Sequence, residues 1–157
     1  MRADFAKFLH DQALPADPGL RLLTADIGYG IFDRIRLDYP KQFVDFGAGE
    51  QLMIGAACGM ALSGLRPVCY SITPFLLYRP FEWLRNFLHH DRIPVKLVGG
   101  GRDRDYGHLG FTHWAEDDAA ILATLPNIKV FKPEIADPSV FNAFLWHDGP
   151  AYLNLRK

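Results

Sequence analysis

DFGAGEQLMIGAACGMALSG, residues 45–64, decides the fold of this 157-residue chain. A short apolar run at 43–46 leads into it and has the pattern of a buried strand end. Gly47 and Gly49 then leave the backbone free of side-chain bulk, and Glu50 stands where a helix should begin. The stretch therefore predicts a strand, a glycine turn and a helix with one carboxylate in its first turn.

The predicted helix consists largely of small residues, which allow a close approach to a neighbouring backbone. They are Gly55, Ala56, Ala57, Gly59 and Ala61. Gly64 ends the helix, as a glycine at the C′ position does. Because such a helix is expected to be buried, Glu50 is the one ionisable group on a packed element. A carboxylate in a first turn also complements the helix dipole, which is the alternative to a functional role.

The composition is that of an ordinary globular protein, with 49% hydrophobic and 22% charged residues and a formal net charge of −1. It lacks the basic excess of nucleic-acid-binding proteins and the polybasic run of membrane-surface proteins. No apolar segment reaches the length of a membrane span, and the N-terminus lacks the apolar core of a signal peptide. Cys58 and Cys69 lie in apolar segments, as buried thiols do in a reducing compartment. We therefore expect one cytoplasmic domain, residues 1–157, with an N-terminal helical extension at 1–19.

Short apolar runs alternate with helical patterns along the chain. The runs predicted to be strands cover residues 20–27, 43–46, 67–72, 94–98, 128–131 and 151–155. Continuous apolar strands of this kind are typical of a sheet covered by helices on both faces. The predicted fold is α/β, a single doubly wound domain with a six-stranded, mostly parallel sheet. Functional loops of such sheets follow the carboxyl ends of the strands, which here are 26–30, 47–50, 73–78 and 99–113.

Three aromatic residues recur at intervals of three after the third predicted strand: Phe75, Tyr78 and Phe81. Aromatic residues at helical spacing normally fill a core. Phe75, however, directly follows Thr73-Pro74, and we expect it to lie before any regular helix. At that position it would be available to stack on a planar ligand.

The long polar loop after the fourth predicted strand ends at His113. Long loops at the carboxyl edge of a sheet are often functional. His113 is therefore a candidate for substrate contact, and Tyr106 and His108 are further candidates in the same loop.

Two other patterns favour structural interpretations. The triple glycine at 99–101 fits neither the Rossmann nor the P-loop spacing, which favours a turn over a phosphate site. His89 and His90, next to Asp91, stand at a predicted helix C-terminus, where histidine is electrostatically favourable. We interpret them as surface residues rather than as metal ligands.

Eight short segments occur in a characteristic order along the chain. They are GAGE (47–50), YSITPF (70–75), RN (85–86), PVKLVG (94–99), YG (106–107), GFTH (110–113), LPN (125–127) and PEIAD (133–137). Taken in this order, they resemble the pyrimidine-binding domain of transketolase-type thiamine diphosphate enzymes, a pattern shared by the 1-deoxyxylulose-5-phosphate synthases. The similarity covers residues 22–155, and the family's domain has the same six-stranded parallel layout.

The resemblance implies a role for each candidate residue. The glutamate matching Glu50 hydrogen-bonds N1′ of the cofactor's aminopyrimidine and favours the tautomer that activates the thiazolium carbon. Phe75 matches the aromatic residue that stacks on the pyrimidine, with Tyr78 and Phe81 lining the same pocket. His113 matches a histidine near the substrate. Tyr106, His108 and Asp26 are the remaining candidates for substrate contact.

The chain also departs from the family pattern. Leu109-Gly110 stands where members usually carry an acidic residue and a glycine. These residues contain no Gly-Asp-Gly, the motif that binds the diphosphate and its Mg²⁺ or Ca²⁺ in the family. Asp148-Gly149 is only part of such a motif and leads into the last strand. The resemblance therefore implies half of a thiamine diphosphate site, completed by a partner subunit that bears Gly-Asp-Gly, in a dimer or heterotetramer.

The expected function is that of a pyrimidine-binding subunit of a split transketolase-like enzyme acting on keto sugars or keto acids. The reaction would be ketol transfer, or decarboxylation with carboligation. One alternative is a non-catalytic assembly or regulatory module of the same fold. Others are an excised fragment of a longer enzyme and an unrelated flavodoxin-like ligand binder.

Overall fold

A computed structural model describes all 157 residues, from Met1 to Lys157, and contains one six-stranded sheet. Every neighbouring pair of strands is parallel, and the order is β2-β1-β3-β4-β6-β5. The strands are β1 Leu20–Thr24, β2 Phe43–Asp45, β3 Arg66–Ile72, β4 Lys96–Gly100, β5 Lys129–Phe131 and β6 Ala151–Leu155. The predicted α/β fold class is confirmed.

Helices cover both faces of this sheet. They are α1 Arg2–Phe8, continued by a π-helical turn Leu9–Ala13 and α2 Leu14–Ala16, then α3 Asp33–Asp38, α4 Glu50–Leu62, α5 Thr73–Tyr78, α6 Phe81–Trp83 with a π-helical continuation Leu84–His90, α7 Asp118–Ala123 and α8 Pro138–Leu145. Two 3₁₀ turns, Gly107–Leu109 and Phe111–His113, lie in the long polar loop. None of the helices combines the length and apolar character that a membrane span requires.

The core consists of two apolar layers, one on each face of the sheet. Leu22 and Leu23 are adjacent in β1 but belong to different layers, because successive side chains of a strand point to opposite faces. The first layer packs against the N-terminal helices and α8, through residues such as Phe5 and Phe141. The second packs against α4 and α5, through residues such as Met53.

Helix α4 has the boundaries that the sequence predicts. It begins at Glu50 and ends in a Schellman arrangement, in which Gly64 N–H donates to Ala61 O and Leu65 N–H donates to Met60 O. Gly64 has a φ of +84°, a left-handed conformation that glycine adopts without strain. A Cβ at Gly55 would lie 3.2 Å from the Trp83 ring, so this small residue permits close packing.

Three local predictions are wrong, each for a structural reason. β2 is only partly buried, because it is the edge strand of the sheet. Gly99 and Gly100 continue β4 instead of forming a turn. A Cβ on Gly99 would lie 2.7 Å from Tyr152 Oη, and one on Gly100 would lie 2.6 Å from Tyr70 Oη, so these glycines make room for tyrosines from neighbouring strands.

The third wrong prediction concerns the helix after Thr73-Pro74. Phe75 lies inside α5, which begins directly after β3 with proline in its first turn.

The predictions for the two cysteines, in contrast, are confirmed, because Cys58 and Cys69 are free and buried. Burial raises the pKa of the Cys58 thiol to about 11 and that of Cys69 well above its ordinary value, so both remain protonated hydrophobes.

Candidate active site

Glu50 is a buried carboxylate at the carboxyl edge of the sheet, with a side chain only 2% exposed. The glycine turn after β2 places it at the start of α4. Its Oε1 accepts a hydrogen bond of 3.2 Å from Ser71 Oγ near the carboxyl end of β3. Its Oε2 accepts one of 2.7 Å from Arg79 Nη1. The carboxylate thus joins a helix start, a central strand and the end of α5.

Phe75 lies next to this ion pair. The guanidinium carbon of Arg79 is 4.0 Å from the centre of the Phe75 ring, the distance of a cation–π contact. Phe75 and Arg79 are four residues apart, so α5 and its C-cap present them on the same side. A carboxylate, a guanidinium and an aromatic face therefore stand in series.

His113 approaches the same aromatic ring from the polar loop. Its ring centre is 4.9 Å from that of Phe75, in an edge-to-face arrangement. The Nδ1 atom lies 3.0 Å from Thr112 Oγ1, within the 3₁₀ turn that positions the imidazole. The ring centre of Tyr106 is 6.4 Å from that of His113. The structure thus brings His113 and Phe75 together, although they are 38 positions apart.

An open cleft of about 570 Å³ begins beside Phe75 and Arg79. Its remaining walls are Pro74, Tyr78, Phe111, Thr112, Trp114, Glu116 and Asp117. Tyr78 donates a hydrogen bond to Asp117 Oδ1 across it. Burial and this bond to Asp117 raise the pKa of Tyr78, so the phenol stays protonated. The cleft combines a flat apolar wall with polar edges, which suits a planar heterocyclic ligand.

The other predicted site residues lie elsewhere. Phe81 lines a separate, mainly polar depression of about 780 Å³ around His89 and Arg85, whereas Phe75 and Tyr78 line the cleft. His108 is exposed on the polar loop. Asp26 lies after β1, where it accepts a hydrogen bond from Tyr29 and its backbone N–H donates to Asp45, outside the residues lining the cleft.

The segment 4–143 matches the family described as the transketolase pyrimidine-binding domain. This chain belongs to that family. The match covers most of the chain, and the resemblance inferred from the sequence is confirmed.

Three similar proteins show how much of a longer protein this domain represents. An uncharacterised 33.6 kDa protein of the fasciation locus of Rhodococcoides fascians is 34% identical over 148 residues, which cover 91% of this chain and 46% of the relative. One of the subunits of the apulose-4-phosphate transketolase of Actinobacillus succinogenes is 30% identical, over 75% of this chain and 39% of that protein. A solved split-gene transketolase, an inactive tetramer of four beta chains, matches with a TM-score of 0.80 and 27% identity, covering 99% of this chain and 50% of its own. The chain thus spans half or less of the length of each.

The pyrimidine-binding domain also contains a second buried polar group, centred on Asp118. Its carboxylate accepts hydrogen bonds from Asn154 Nδ2 and Tyr152 Oη and pairs with Lys132 Nζ at 3.2 Å. Burial and the Asp118 charge raise the pKa of Tyr152, so its hydroxyl remains a donor. Asn154 also donates to Thr73 Oγ1, at the start of α5, so the network holds the helix that carries Phe75.

Sequence reasoning does not find Arg79, Ser71 or the Asp118 network. Arg79 offers one usable signal, its spacing of four residues from Phe75, which puts both side chains on one side once the segment is helical. Ser71 and Asp118 give no comparable signal, because their partners come from distant elements that meet only in the folded chain. In the sequence, Asp118 is only one of several acids of the kind favoured in a first helical turn.

Proposed function

We propose that this chain is the pyrimidine-binding subunit of a split, transketolase-like thiamine diphosphate enzyme. One observation carries the proposal. The buried Glu50 carboxylate, at the start of α4, is paired with Arg79, whose guanidinium lies over the Phe75 ring. A diphosphate-binding partner bearing Gly-Asp-Gly would supply the other half of the site, including Mg²⁺ or Ca²⁺. Two unpaired, buried cysteines are compatible with a cytoplasmic enzyme.

The donor set of this chain fits the aminopyrimidine end of thiamine diphosphate. Glu50 would bind the ring nitrogen, Phe75 would stack on the ring, and Tyr78 would border it. His113, in edge-to-face contact with Phe75, would face the substrate. The cofactor supplies the carbanion chemistry, while the protein supplies binding and orientation.

Keto sugars are the substrates that we favour, with ketol transfer as the reaction and keto acid decarboxylation with carboligation as the alternative. The similarity to a subunit of an apulose-4-phosphate transketolase supports this choice. Tyr106, 6.4 Å from His113, is the nearest further candidate for substrate contact. His108 and Asp26 would reach a substrate only if the assembled enzyme extends the site toward them.

A requirement for a partner fits the geometry, because the cleft that Phe75 lines is open rather than enclosed. The similar split-gene transketolase is described as inactive when it consists of four beta chains. We propose a heterodimer or heterotetramer in which each cofactor lies between a pyrimidine-binding subunit and a diphosphate-binding subunit.

The test is the Glu50→Gln variant in the reconstituted complex. We expect its thiamine diphosphate-dependent turnover to fall about 10²- to 10⁴-fold, the range for loss of a positioned acid–base group. Glu82→Gln, an exposed carboxylate at α6, is the matched control and should retain full turnover. Circular dichroism should show both variants folded. Full activity of Glu50→Gln would refute the proposed role.

The second candidate is a non-catalytic assembly module of the same fold. The polar loop favours it, because Leu109 replaces the usual acidic residue and Phe111 is 80% exposed beside the cleft. Exposed apolar side chains of this kind suit protein contact. If the chain forms a stable complex with the diphosphate-binding subunit but that complex never binds thiamine diphosphate, the module is the correct function.

A further inference from the structure

Arg79 makes two contacts of the kind that a bound ligand would make, which distinguishes it from an ordinary surface ion pair. Its Nη1 donates to Glu50 Oε2 at 2.7 Å, and its guanidinium carbon lies 4.0 Å from the Phe75 ring centre. A flat, nitrogen-bearing group is thus stacked on the aromatic face and hydrogen-bonded to the buried carboxylate.

The aminopyrimidine of thiamine diphosphate requires the same two contacts. It too is flat and nitrogen-bearing, and it would need the Phe75 face and an oxygen of Glu50. Oε1 accepts a hydrogen bond from the fixed Ser71, whereas Oε2 is bound to Arg79, so Oε2 is the oxygen that becomes free when Arg79 leaves. Only one planar group fits on one face of a ring at van der Waals separation, so an aminopyrimidine that stacks on the face covered by Arg79 excludes the guanidinium.

We propose that Arg79 is an internal competitor for the cofactor: in the free subunit it occupies the aminopyrimidine position, and it withdraws when the cofactor enters. The inference rests on the proposed function. It adds a residue that sets cofactor affinity without belonging to the chemistry.

The side chain is able to leave. Arg79 is 47% exposed, and Glu50 is its sole hydrogen-bond partner. A guanidinium on a flexible stem moves into water without leaving any of its donors buried. It is the C-cap residue of α5, and rotation about its side-chain bonds leaves the backbone hydrogen bonds of the helix unchanged.

Arg79 also has a function while it stays in place. A buried carboxylate without a partner is costly, and the free subunit has no cofactor to satisfy Glu50. The arginine stabilises the half-site until assembly, and it weakens cofactor binding by the same contact.

The experiment measures thiamine diphosphate affinity by calorimetry in the complex with the diphosphate-binding subunit. Arg79→Leu removes the competitor, and Arg34→Leu, an exposed arginine on α3, is the charge-matched control. We expect Arg79→Leu to lower the Kd about five- to tenfold, which corresponds to an aminopyrimidine position that is free about 10 to 20% of the time in the wild type. Arg34→Leu should leave the Kd unchanged.

A second readout does not involve the cofactor. The isolated Arg79→Leu subunit should unfold at a lower temperature than Arg34→Leu, because Glu50 loses its cation. If Arg79→Leu fails to fold, Arg79→Lys replaces it, because lysine keeps the charge but lacks the flat group. The Kd of the Arg79→Lys complex for thiamine diphosphate should be about two- to threefold lower than that of wild type, by the same population shift.

The outcomes separate the two proposals. If the wild-type complex binds thiamine diphosphate and neither Arg79 variant binds it more tightly, the competitor role is refuted and the proposed function stands. If the wild-type complex does not bind thiamine diphosphate, both fail together.

Discussion

Two carboxylates at the carboxyl edge of the sheet are nearly identical in burial and charge, yet they have different surroundings. Glu50 and Asp118 are each 2% exposed. Each is paired with a partly exposed cation, Arg79 for Glu50 and Lys132 for Asp118. Neither burial nor pairing therefore distinguishes a site residue from a structural one.

The difference lies in the other partners. Asp118 also accepts from Asn154 and Tyr152, two buried side chains on β6 that cannot move away. Glu50 has one further partner, the Ser71 hydroxyl, and its cation lies on Phe75 at the mouth of an open cleft. A buried carboxylate that can exchange its cation for a ligand is suited to binding, whereas one locked among buried donors is suited to stability.

The strongest effect on stability should come from Asp118. Asp118→Ala leaves the Lys132 ammonium and the buried donors of Tyr152 and Asn154 without their shared acceptor, so we expect a loss of about 2 to 4 kcal/mol in the free energy of unfolding. Glu50→Gln keeps a polar group of the same size and should cost at most about 1 kcal/mol. Urea unfolding of the isolated chain measures both, and equal losses would remove the distinction between the two carboxylates.

A matched pair of glycines tests how rigid the Asp118 region is. A Cβ at Gly99 would lie 2.5 Å from Thr73 Oγ1 and 2.7 Å from Tyr152 Oη, both members of the network. Gly99→Ala should therefore destabilise the fold by about 1 to 3 kcal/mol. Gly59 in α4 has no atom within 4 Å of such a Cβ, so Gly59→Ala should stabilise it by about 0.5 to 1 kcal/mol. A Gly99→Ala variant as stable as wild type would show that the Asp118 network rearranges to accommodate the added methyl group.

The smallest effect concerns a third buried charge, at the opposite edge. Lys96 begins β4 and donates to Gly149 O at 2.6 Å. Burial lowers its pKa from 10.5 to about 8. The folded state thus disfavours the charged ammonium. The resulting loss of folding stability is complete below pH 8 and declines as the pH rises toward 10.5.

Lys96→Met removes that titration, so the difference between wild type and variant isolates it. We expect wild type to gain about 1 kcal/mol relative to Lys96→Met between about pH 7 and about pH 9. Denaturant unfolding of both proteins at each pH provides the measurement. A difference that does not depend on pH would mean that Lys96 titrates normally.

The sequence predicts those features that depend on neighbouring residues. The strands follow from short apolar runs, and Glu50 and the glycine end of α4 follow from a single stretch. Phe75 and His113 are identifiable because their segments occur in the order of the family's motifs. Their side-by-side arrangement depends on the carboxyl ends of β3 and β4 meeting at one edge.

The features that the sequence does not predict depend on distant residues coming together. The bond between Ser71 and Glu50 requires α4 to pack at the end of β3. The Asp118 network joins α7, α5 and β6. Gly99 has the sequence pattern of a loop residue, and only its distant neighbours Thr73 and Tyr152 explain why a side chain is excluded from that strand position. Such pairings are set by strand order and by the packing of helices on the sheet, neither of which a single sequence shows.

The central claim is that Glu50 of this chain meets the aminopyrimidine while a different polypeptide holds the diphosphate. The most direct measurement is an experimental structure of the reconstituted complex with thiamine diphosphate bound. We predict a Glu50 carboxyl oxygen about 2.7 to 3.0 Å from the ring nitrogen, with the ring on Phe75 and Arg79 withdrawn. A bound cofactor with Glu50 still joined to Arg79, and beyond hydrogen-bond distance of the ring, would contradict the claim.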